Sequence, residues 1–197
     1  MFLDVGETLV DERRYWGELA RLAGIEPHAL IAALGVAIAR GEGHTSLWTH
    51  LGLERPPAAD ALSYEAGDLY PDALPCLTAL RRAGYVVGLA GNQNETLEAW
   101  TRETLPADIY GSSASWGVSK PDKRFFDRIV EEAHLRPAEI AYVGDRADND
   151  ARPALAAGFV AIHLRRGPWG RLQDTPDGTI ALASLSEVAP ALASLRR

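Results

Sequence analysis

The sequence predicts an α/β protein in which buried strands alternate with helices around a parallel sheet. Three observations favour this fold class. From about residue 85 onward, apolar runs of strand length recur between helical segments, a pattern typical of parallel strands covered on both faces. One further apolar run opens the chain and is followed by a helical block of about 60 residues. Of the 197 residues, 47% are hydrophobic and 24% are charged, the balance of an ordinary globular protein.

The first part of the chain combines one short strand with several helices. Residues 2–9 are predicted to form a short buried strand that ends in a polar turn. A second helix is predicted over residues 27–40, because Pro27 suits the first helical turn, and a third over 46–51 with Thr45 as its N-cap. The first helix precedes them and is predicted by apolar side chains at helical spacing: Trp16, Leu19, Ala20, Leu22 and Ala23.

From residue 71 onward, helices and strands alternate. Ala83-Gly84 ends a helix, and Pro121 is expected to open a later one. Strands are predicted over residues 85–90, 109–110, 140–143, 159–164 and 180–183, and helices over residues 94–103, 121–135 and 150–157 and from residue 186. Right-handed crossovers then place the functional loops at the carboxyl ends of the strands. We expect residues 1–10 and 71–197 to form the sheet domain and residues 11–70 a helical cap, since about 60 residues are few for an independent core.

Composition excludes several classes of protein. The net charge of −7 argues against bulk electrostatic binding of nucleic acid. A single cysteine, Cys76, rules out an intrachain disulfide framework and a four-cysteine zinc site. No run of about 18 apolar residues predicts a membrane span, and the first residues lack the pattern of a secretion signal. We therefore expect a cytoplasmic protein without membrane or nucleic-acid partners; the oligomeric state stays open.

Three aspartates lie where predicted strands end, or shortly after. Asp4 and Asp145 directly follow strand segments, and Asp150 opens the next helix. In a doubly wound sheet these ends converge in one crevice, where clustered carboxylates repel one another unless a cation intervenes. Oxygen ligands in an open site suit Mg²⁺, and a carboxylate there can also act as a nucleophile. Lys120, one of only two lysines, precedes Pro121 and is expected to aim its ammonium group into this crevice, holding Asp4 ionised and balancing phosphoryl charge.

Three segments in this order and spacing resemble the haloacid dehalogenase-like hydrolase superfamily: DVGETL at 4–9, GVSKP at 117–121 and GDRADND at 144–150. The segment YPDAL at 70–74 is similar to the family's return from the cap into the core. The resemblance covers nearly the whole chain. It implies a Rossmann-like doubly wound core with a small α-helical cap inserted after the first strand.

The resemblance also implies an activity and a set of site residues. The protein would be a Mg²⁺-dependent phosphatase of a small phosphorylated metabolite that forms an aspartyl-phosphate on Asp4. The metal would be held by Asp4, the Gly6 carbonyl and Asp145, with Asp150 supporting the metal shell. Lys120 would stabilise the phosphoryl group.

The sequence departs from the family at two positions. Gly6 stands where these phosphatases usually carry a second aspartate as general acid and base, a function that contributes about 10²–10⁴-fold to the rate. Glu7 is a possible substitute, and Gly6→Asp is expected to raise turnover. Gly91 stands where a serine or threonine commonly bonds the phosphoryl oxygens; the backbone N–H groups of Gly91 and Asn92, or the side chains of Asn92 and Gln93, are candidates to replace it.

These departures leave other functions open. A catalytically degenerate relative would keep the fold as a binding or regulatory protein. Dehalogenation, in which the nucleophile attacks carbon without a metal, is less favoured because residues 144–150 resemble the metal-binding form. Carbon–phosphorus hydrolysis is disfavoured, because this family uses a cap lysine for it and no lysine precedes Lys120.

Overall fold

The computed structural model describes residues 1–195, and within them six parallel strands form one sheet. The strands are β1 (Phe2–Leu3), β2 (Gly88–Gly91), β3 (Ile109–Ser112), β4 (Ala141–Gly144), β5 (Val160–Leu164) and β6 (Ile180–Leu182). Their order in the sheet is β3-β2-β1-β4-β5-β6. The chain therefore winds outward in both directions from β1, and the crevice of such a sheet opens where β1 and β4 end.

Helices connect the strands and form the block that follows β1. They are α1 (Arg13–Leu22), α2 (Pro27–Ala39), α3 (Ser46–Leu51), α4 (Ala73–Arg82), α5 (Glu95–Thr104), α6 (Ser113–Trp116), α7 (Lys123–Ala133), α8 (Arg152–Ala156), α9 (Gly167–Leu172) and α10 (Val188–Leu195). A π-helical turn, Ala147–Ala151, runs directly into α8. Short 3₁₀ turns occur at Pro57–Ala61, Ala66–Asp68, Pro137–Glu139 and Leu185–Glu187.

Both faces of the sheet are covered by apolar side chains. Leu3 belongs to a buried cluster that includes residues of α4 and α10, whereas Phe2 belongs to a second cluster that includes residues of α7. Adjacent residues of a strand point to opposite faces, so β1 contributes to both layers. The predicted α/β class with a doubly wound parallel sheet is confirmed.

The helices between β1 and α4 have an apolar cluster of their own. It contains Trp16, Leu19, Leu30, Leu34, Leu47 and Trp48, and Trp169 of α9 packs into it from the sheet side. The chain leaves and re-enters the sheet region through two neighbouring segments, since Val10 pairs with Leu69 and the Tyr70 N–H donates to the Leu9 carbonyl at 3.0 Å. The division into a core and a separate cap at residues 11–70 remains a prediction.

Several predicted boundaries were wrong for local reasons. Pro121 does not open α7, because Asp122 caps that helix by accepting the Arg124 N–H at 2.9 Å. α3 has the predicted bounds and Thr45 stands at its N-cap position, but the Thr45 side chain makes no cap bond, because its backbone is already helical. β2 starts at Gly88 and not at residue 85, since the Val87 N–H donates to the Asp108 carboxylate at 2.9 Å.

The helices of the described part were also compared with the length and apolarity of a membrane span. Over residues 1–195, no single helix is long and apolar enough to cross a membrane. The bent pair α1 and α2 reaches that threshold only when the two helices are counted together.

Asp72 links three separate segments of the chain. Its carboxylate accepts two bonds from Arg166, at 2.9 and 2.5 Å, and further bonds from the Ser184 hydroxyl (2.8 Å) and the Leu185 N–H (2.9 Å). The Arg166 guanidinium also lies over the Tyr70 ring, 4.3 Å from its centroid. Burial would raise the pKa of the Asp72 carboxyl, but the bonds from Arg166 and Ser184 outweigh it and lower that pKa.

Asp72→Asn is expected to lower the free energy of unfolding by about 2 kcal/mol at pH 7, because the buried Arg166 guanidinium loses its carboxylate. Since the folded-state pKa of Asp72 is lowered, this contribution is complete above the unfolded-state pKa and is lost as the pH falls below about 4. Urea denaturation at several pH values measures it. Glu139→Gln, which weakens an exposed ion pair with Arg136, is the control and should leave the free energy of unfolding nearly unchanged. Equal losses in the two variants would contradict this role of Asp72.

Candidate active site

The sheet brings four charged residues from distant parts of the sequence into one cluster. One carboxylate oxygen from each of Asp4, Asp145 and Asp150 lies within 4.8 Å of the others. The Lys120 ammonium lies between two of them, 2.9 Å from Asp4 Oδ1 and 2.6 Å from Asp150 Oδ1. All four residues are buried. The structure therefore brings together the aspartates and the lysine that the sequence predicted to meet.

The position of the first two aspartates follows from strand pairing. Leu3 of β1 is paired with Val143 of β4, and the Asp4 N–H donates to the Val143 carbonyl at 2.8 Å. Asp4 and Asp145 therefore leave adjacent strands at the same edge of the sheet. Asp150 reaches them from the π-helical turn, and it accepts the Arg146 N–H at 2.9 Å. This approach needs a glycine at position 144, because a Cβ atom there would overlap the Asp150 carboxylate.

Asn92 holds Lys120 in place. Its side-chain amide donates to the Lys120 carbonyl at 2.9 Å, and its side-chain oxygen accepts the Lys120 N–H at 2.8 Å. The Gln93 amide donates to the Thr101 hydroxyl at 2.9 Å. The two side-chain amides suggested as phosphate ligands are thus already engaged within the protein. Binding by the backbone N–H groups of Gly91 and Asn92 stays a prediction.

Burial and mutual repulsion dominate the electrostatics of the cluster. Burial, together with the charge of Asp150 and against the attraction of Lys120, raises the pKa of Asp4 to about 6. Burial and the charges of Asp150 and Asp4 raise the pKa of Asp145 well above its usual value. Burial would lower the pKa of Lys120, but its two carboxylate partners outweigh burial and raise it. One ammonium group thus faces three carboxylates, so the ionised cluster carries excess negative charge.

The aspartates fit a divalent cation. Oδ2 of Asp145 is buried and has no hydrogen-bond partner among residues 1–195. An orphaned, buried carboxylate oxygen is costly unless a ligand satisfies it. Two oxygens that share one Mg²⁺ ion at about 2.1 Å are at most about 4.2 Å apart, so the observed cluster needs only a small contraction. The charge excess and this unpartnered oxygen both favour a cation between Asp4 and Asp145.

A fourth acidic side chain, Glu12, lies on the other side of the site. A Cβ atom placed on Gly6 would lie 2.5 Å from Glu12 Oε1, so this carboxyl group fills the space beside the glycine. The Tyr64 hydroxyl donates a hydrogen bond to the same oxygen. Burial and the charge of Glu7 raise the pKa of Glu12 to about 8. Sequence reasoning missed Glu12, because nothing in its position just before α1 marks it as part of the site.

Glu7, the substitute acid that the sequence suggested, has different surroundings. Its Oε2 accepts the Tyr70 hydroxyl at 2.7 Å, and its side chain lies against Gly167. Burial raises the pKa of Glu7, with the Tyr70 bond opposing the rise. Its carboxylate is therefore anchored to the segment that leads back into the sheet domain.

A cavity of about 190 Å³ joins the charged cluster to the helical block. Asp4, Lys120 and Asp145 line it on the sheet side. The opposite wall contains Tyr15, Trp16, His44, Leu47, Trp48 and Arg55. Aromatic side chains of the helical block, Tyr15, Trp16 and Trp48, thus face a space with room for a small ligand.

Sequence comparisons relate the chain to known proteins. A family model described as haloacid dehalogenase-like hydrolase matches residues 1–158. The chain is 31% identical over 117 residues to a glyceraldehyde 3-phosphate phosphatase of Methanopyrus kandleri, covering 56% of this chain and 49% of that protein. It is 31% identical over 120 residues to (S)-2-haloacid dehalogenase 1 of a Pseudomonas species, covering 58% and 52%. The matches thus span about half the length of these curated relatives.

A solved structure shows the same fold over nearly the whole chain. It is that of a putative hydrolase of this family, YfnB from Bacillus subtilis, bound to magnesium. Its TM-score is 0.73 at 16% identity, and the alignment covers 97% of this chain and 96% of that one. At this identity the likeness concerns the fold alone.

In the metal-free protein, Asp145→Asn is expected to raise the free energy of unfolding by about 1–3 kcal/mol at pH 7.5, because one of three repelling buried carboxylates is removed. The folded-state pKa of Asp145 is raised, so its ionisation costs stability as the pH rises from the unfolded-state pKa toward the folded-state one. Urea denaturation in EDTA should therefore show a smaller gain at pH 5 than at pH 7.5. Millimolar Mg²⁺ should stabilise the parent more than the variant.

The matched control for Asp145→Asn is Asp148→Asn. The Asp148 carboxylate lies on the same loop but is paired with Arg146 at 2.6 Å, so its removal should bring no gain in stability. A metal-free Asp145→Asn protein that is less stable than the parent at pH 7.5 would refute the charge-excess account.

Proposed function

Because the chain belongs to the haloacid dehalogenase-like hydrolase family, we propose that it is a Mg²⁺-dependent phosphatase that forms an aspartyl-phosphate on Asp4. The observation that carries the proposal is the buried cluster of Asp4, Asp145, Asp150 and Lys120, in which Oδ2 of Asp145 has no partner within the described chain. A site of this charge suits a reaction that brings a cation and a phosphoryl group together.

The residues present fit the metal. Asp4, Asp145 and the Gly6 carbonyl would hold Mg²⁺, and Asp150 would support this shell while it also binds Lys120. When bound, the ion would neutralise charge on the phosphoryl oxygens and on the carboxylates. Asp150 is the least exposed of the three aspartates and already accepts bonds from Lys120 and Arg146, which suits a supporting role.

Asp4 is the nucleophile in this proposal. It follows the central strand and lines the cavity, so its carboxylate can meet a substrate that enters between the sheet and the helical block. Lys120, 2.9 Å from Asp4 Oδ1, favours the ionised form of Asp4 and can later balance charge on the transferred phosphoryl group. Tyr142 supports the lysine from behind, with the ammonium 5.4 Å from its ring centroid.

The substrate in this proposal is a small phosphorylated metabolite. The cavity is closed on one side by aromatic and apolar side chains of the helical block, so it suits a compact ligand with a modest apolar part. One relative is named for glyceraldehyde 3-phosphate, which is a compact phosphate ester of this kind. The cytoplasmic location that the sequence favours stays a prediction.

The activity test uses an aryl phosphate, with and without Mg²⁺. The parent protein is expected to hydrolyse it only with the metal, and Asp4→Asn should lower turnover by more than about 10³-fold, because the nucleophile is lost. Asp127→Asn, a change at a half-exposed residue paired with Lys123 on α7, serves as the control and should leave turnover unchanged. Metal-independent hydrolysis that survives Asp4→Asn would eliminate the proposal.

The same test separates the two competing functions. Release of chloride from a 2-chlorocarboxylic acid without metal would favour dehalogenation, in which Asp4 attacks carbon. Saturable Mg²⁺ binding without turnover of any member of a broad phosphate panel would favour a degenerate binding protein.

A further inference from the structure

A phosphatase with glycine at position 6 lacks a proton donor at the usual place. An alkoxide leaving group needs a proton as its bond to phosphorus breaks, and the water that later attacks the phosphoenzyme must lose one. A side chain that replaces this proton donor must reach the same point beside Asp4. Its position in the cavity therefore decides whether it can act as the acid. The following inference rests on the proposed phosphatase function and assigns this proton transfer.

The Glu12 carboxyl group reaches into the space next to position 6, where an aspartate side chain would begin. From a Cβ atom built on Gly6, Glu12 Oε1 lies at 2.5 Å and Glu12 Cδ at 3.0 Å. Standard bond lengths put the carboxylate oxygens of an aspartate about 2.4 Å from its own Cβ. Glu12 Oε1 therefore lies about as far from the Cβ position as the oxygen of an aspartate at position 6 would, although Glu12 is six positions later in the chain.

The surrounding structure holds this carboxyl group in the cavity. The Glu12 backbone begins α1, because its carbonyl accepts the Trp16 N–H at 2.8 Å. The Tyr64 hydroxyl donates to Oε1 and lies 3.3 Å from the same Cβ position on Gly6. Tyr64 is itself fixed between Tyr15 and Trp100, with ring centroids at 5.6 and 5.4 Å. Glu12 thus has little freedom to leave the site, and it lines the same cavity as Asp4 and Lys120.

We propose that Glu12 is the general acid and base of this enzyme. In the first half-reaction, an Asp4 oxygen bonds to phosphorus, the ester P–O bond breaks, and the leaving oxygen takes the proton of the Glu12 carboxyl group. In the second, the Glu12 carboxylate takes a proton from water as the water oxygen bonds to phosphorus and the Asp4–phosphorus link breaks. The products are the alcohol, inorganic phosphate, free Asp4 and protonated Glu12.

Glu7 does not meet the same requirements. Glu7 lines the same cavity, but its Oε2 accepts the Tyr70 hydroxyl and its side chain packs on Gly167. The atoms nearest to a Cβ atom placed on Gly6 belong to Glu12 and Tyr64, not to Glu7. The expectation that Gly6→Asp alone raises turnover also changes, since the new side chain would collide with Glu12 Oε1. The single substitution puts two carboxyl groups into one volume, so it should lower turnover.

The first experiment compares two phosphate esters in the parent, Glu12→Gln, Glu7→Gln and Glu18→Gln proteins. With an alkyl phosphate, Glu12→Gln should lower kcat by about 10²–10⁴-fold, because a poor leaving group needs the acid. With a nitrophenyl phosphate, which needs no acid, Glu12→Gln should still release one nitrophenol per enzyme in a rapid burst, followed by a slow steady state. The burst arises because phosphoenzyme forms but its hydrolysis lacks a base. Glu18→Gln, an exposed change on α1, should behave like the parent.

The second experiment moves the carboxyl group back to position 6. Glu12→Ala should be as impaired as Glu12→Gln, and the double variant Gly6→Asp/Glu12→Ala should recover at least about tenfold of that loss, because the space is vacated and refilled. Recovery by an aspartate at a different position is a result that a merely structural role of Glu12 would not give. Circular dichroism and urea denaturation identify any variant that fails to fold. If the double variant does not fold, the burst measured with Glu12→Gln tests the role of Glu12 instead.

The outcomes separate this inference from the proposed function. An active parent whose leaving-group dependence is unchanged by Glu12→Gln, or is changed instead by Glu7→Gln, overturns the assignment of Glu12 and leaves the phosphatase standing. Failure of the double variant to recover, when it is folded, also overturns it. A parent without turnover of any phosphate ester overturns the proposed function and this inference together.

Discussion

The site depends on an unequal balance of buried charge at the carboxyl ends of β1 and β4. One ammonium group, that of Lys120, is shared by Asp4 and Asp150, while Asp145 keeps an oxygen without a partner among the described residues. The surrounding architecture preserves this imbalance. Strand pairing places two aspartates side by side, Gly144 lets the third approach, and Asn92 fixes the backbone of the lysine. A cation is the simplest counterpart to the remaining charge.

The sequence could predict the parts of this arrangement that follow from chain topology. Carboxyl ends of parallel strands converge, so Asp4 and Asp145 could be placed in one crevice from their positions alone. Lys120 was placed there because it precedes Pro121. The sequence could not predict Glu12, because its role depends on how the first helix packs over Gly6. Nor could it assign Asn92, whose amide is engaged by the Lys120 backbone and not offered to a ligand. Helix starts failed where side-chain hydrogen bonds, invisible in periodicity, set the boundary, as at Asp122.

The two departures from the family pattern take on a different meaning in three dimensions. Gly6 leaves a space that the Glu12 side chain enters. A carboxyl group from the start of α1 thus stands near the place of the aspartate that the family usually carries at position 6. Gly91 is required by a second close approach, since a Cβ atom there would lie 2.5 Å from Asp4 Oδ1. A serine or threonine at position 91 would therefore force the Asp4 carboxylate to shift. Both glycines thus leave room for closely packed acidic side chains, besides lacking the functional groups that the family usually has at these positions.

The neighbouring segments that pair Val10 with Leu69 connect the helices that carry Glu12 to the sheet that carries Asp4. Glu12 and Tyr64 lie beyond these segments on the helical side, whereas Asp4 and Lys120 lie on the sheet. If the helices swing away on these two segments as on a hinge, they carry the proton donor and its tyrosine with them. The nucleophile and its lysine would then stand alone, and stray water entering the open crevice would find no base to activate it. The movement that closes the helices over a bound ligand would thus also bring the proton donor to the reacting group.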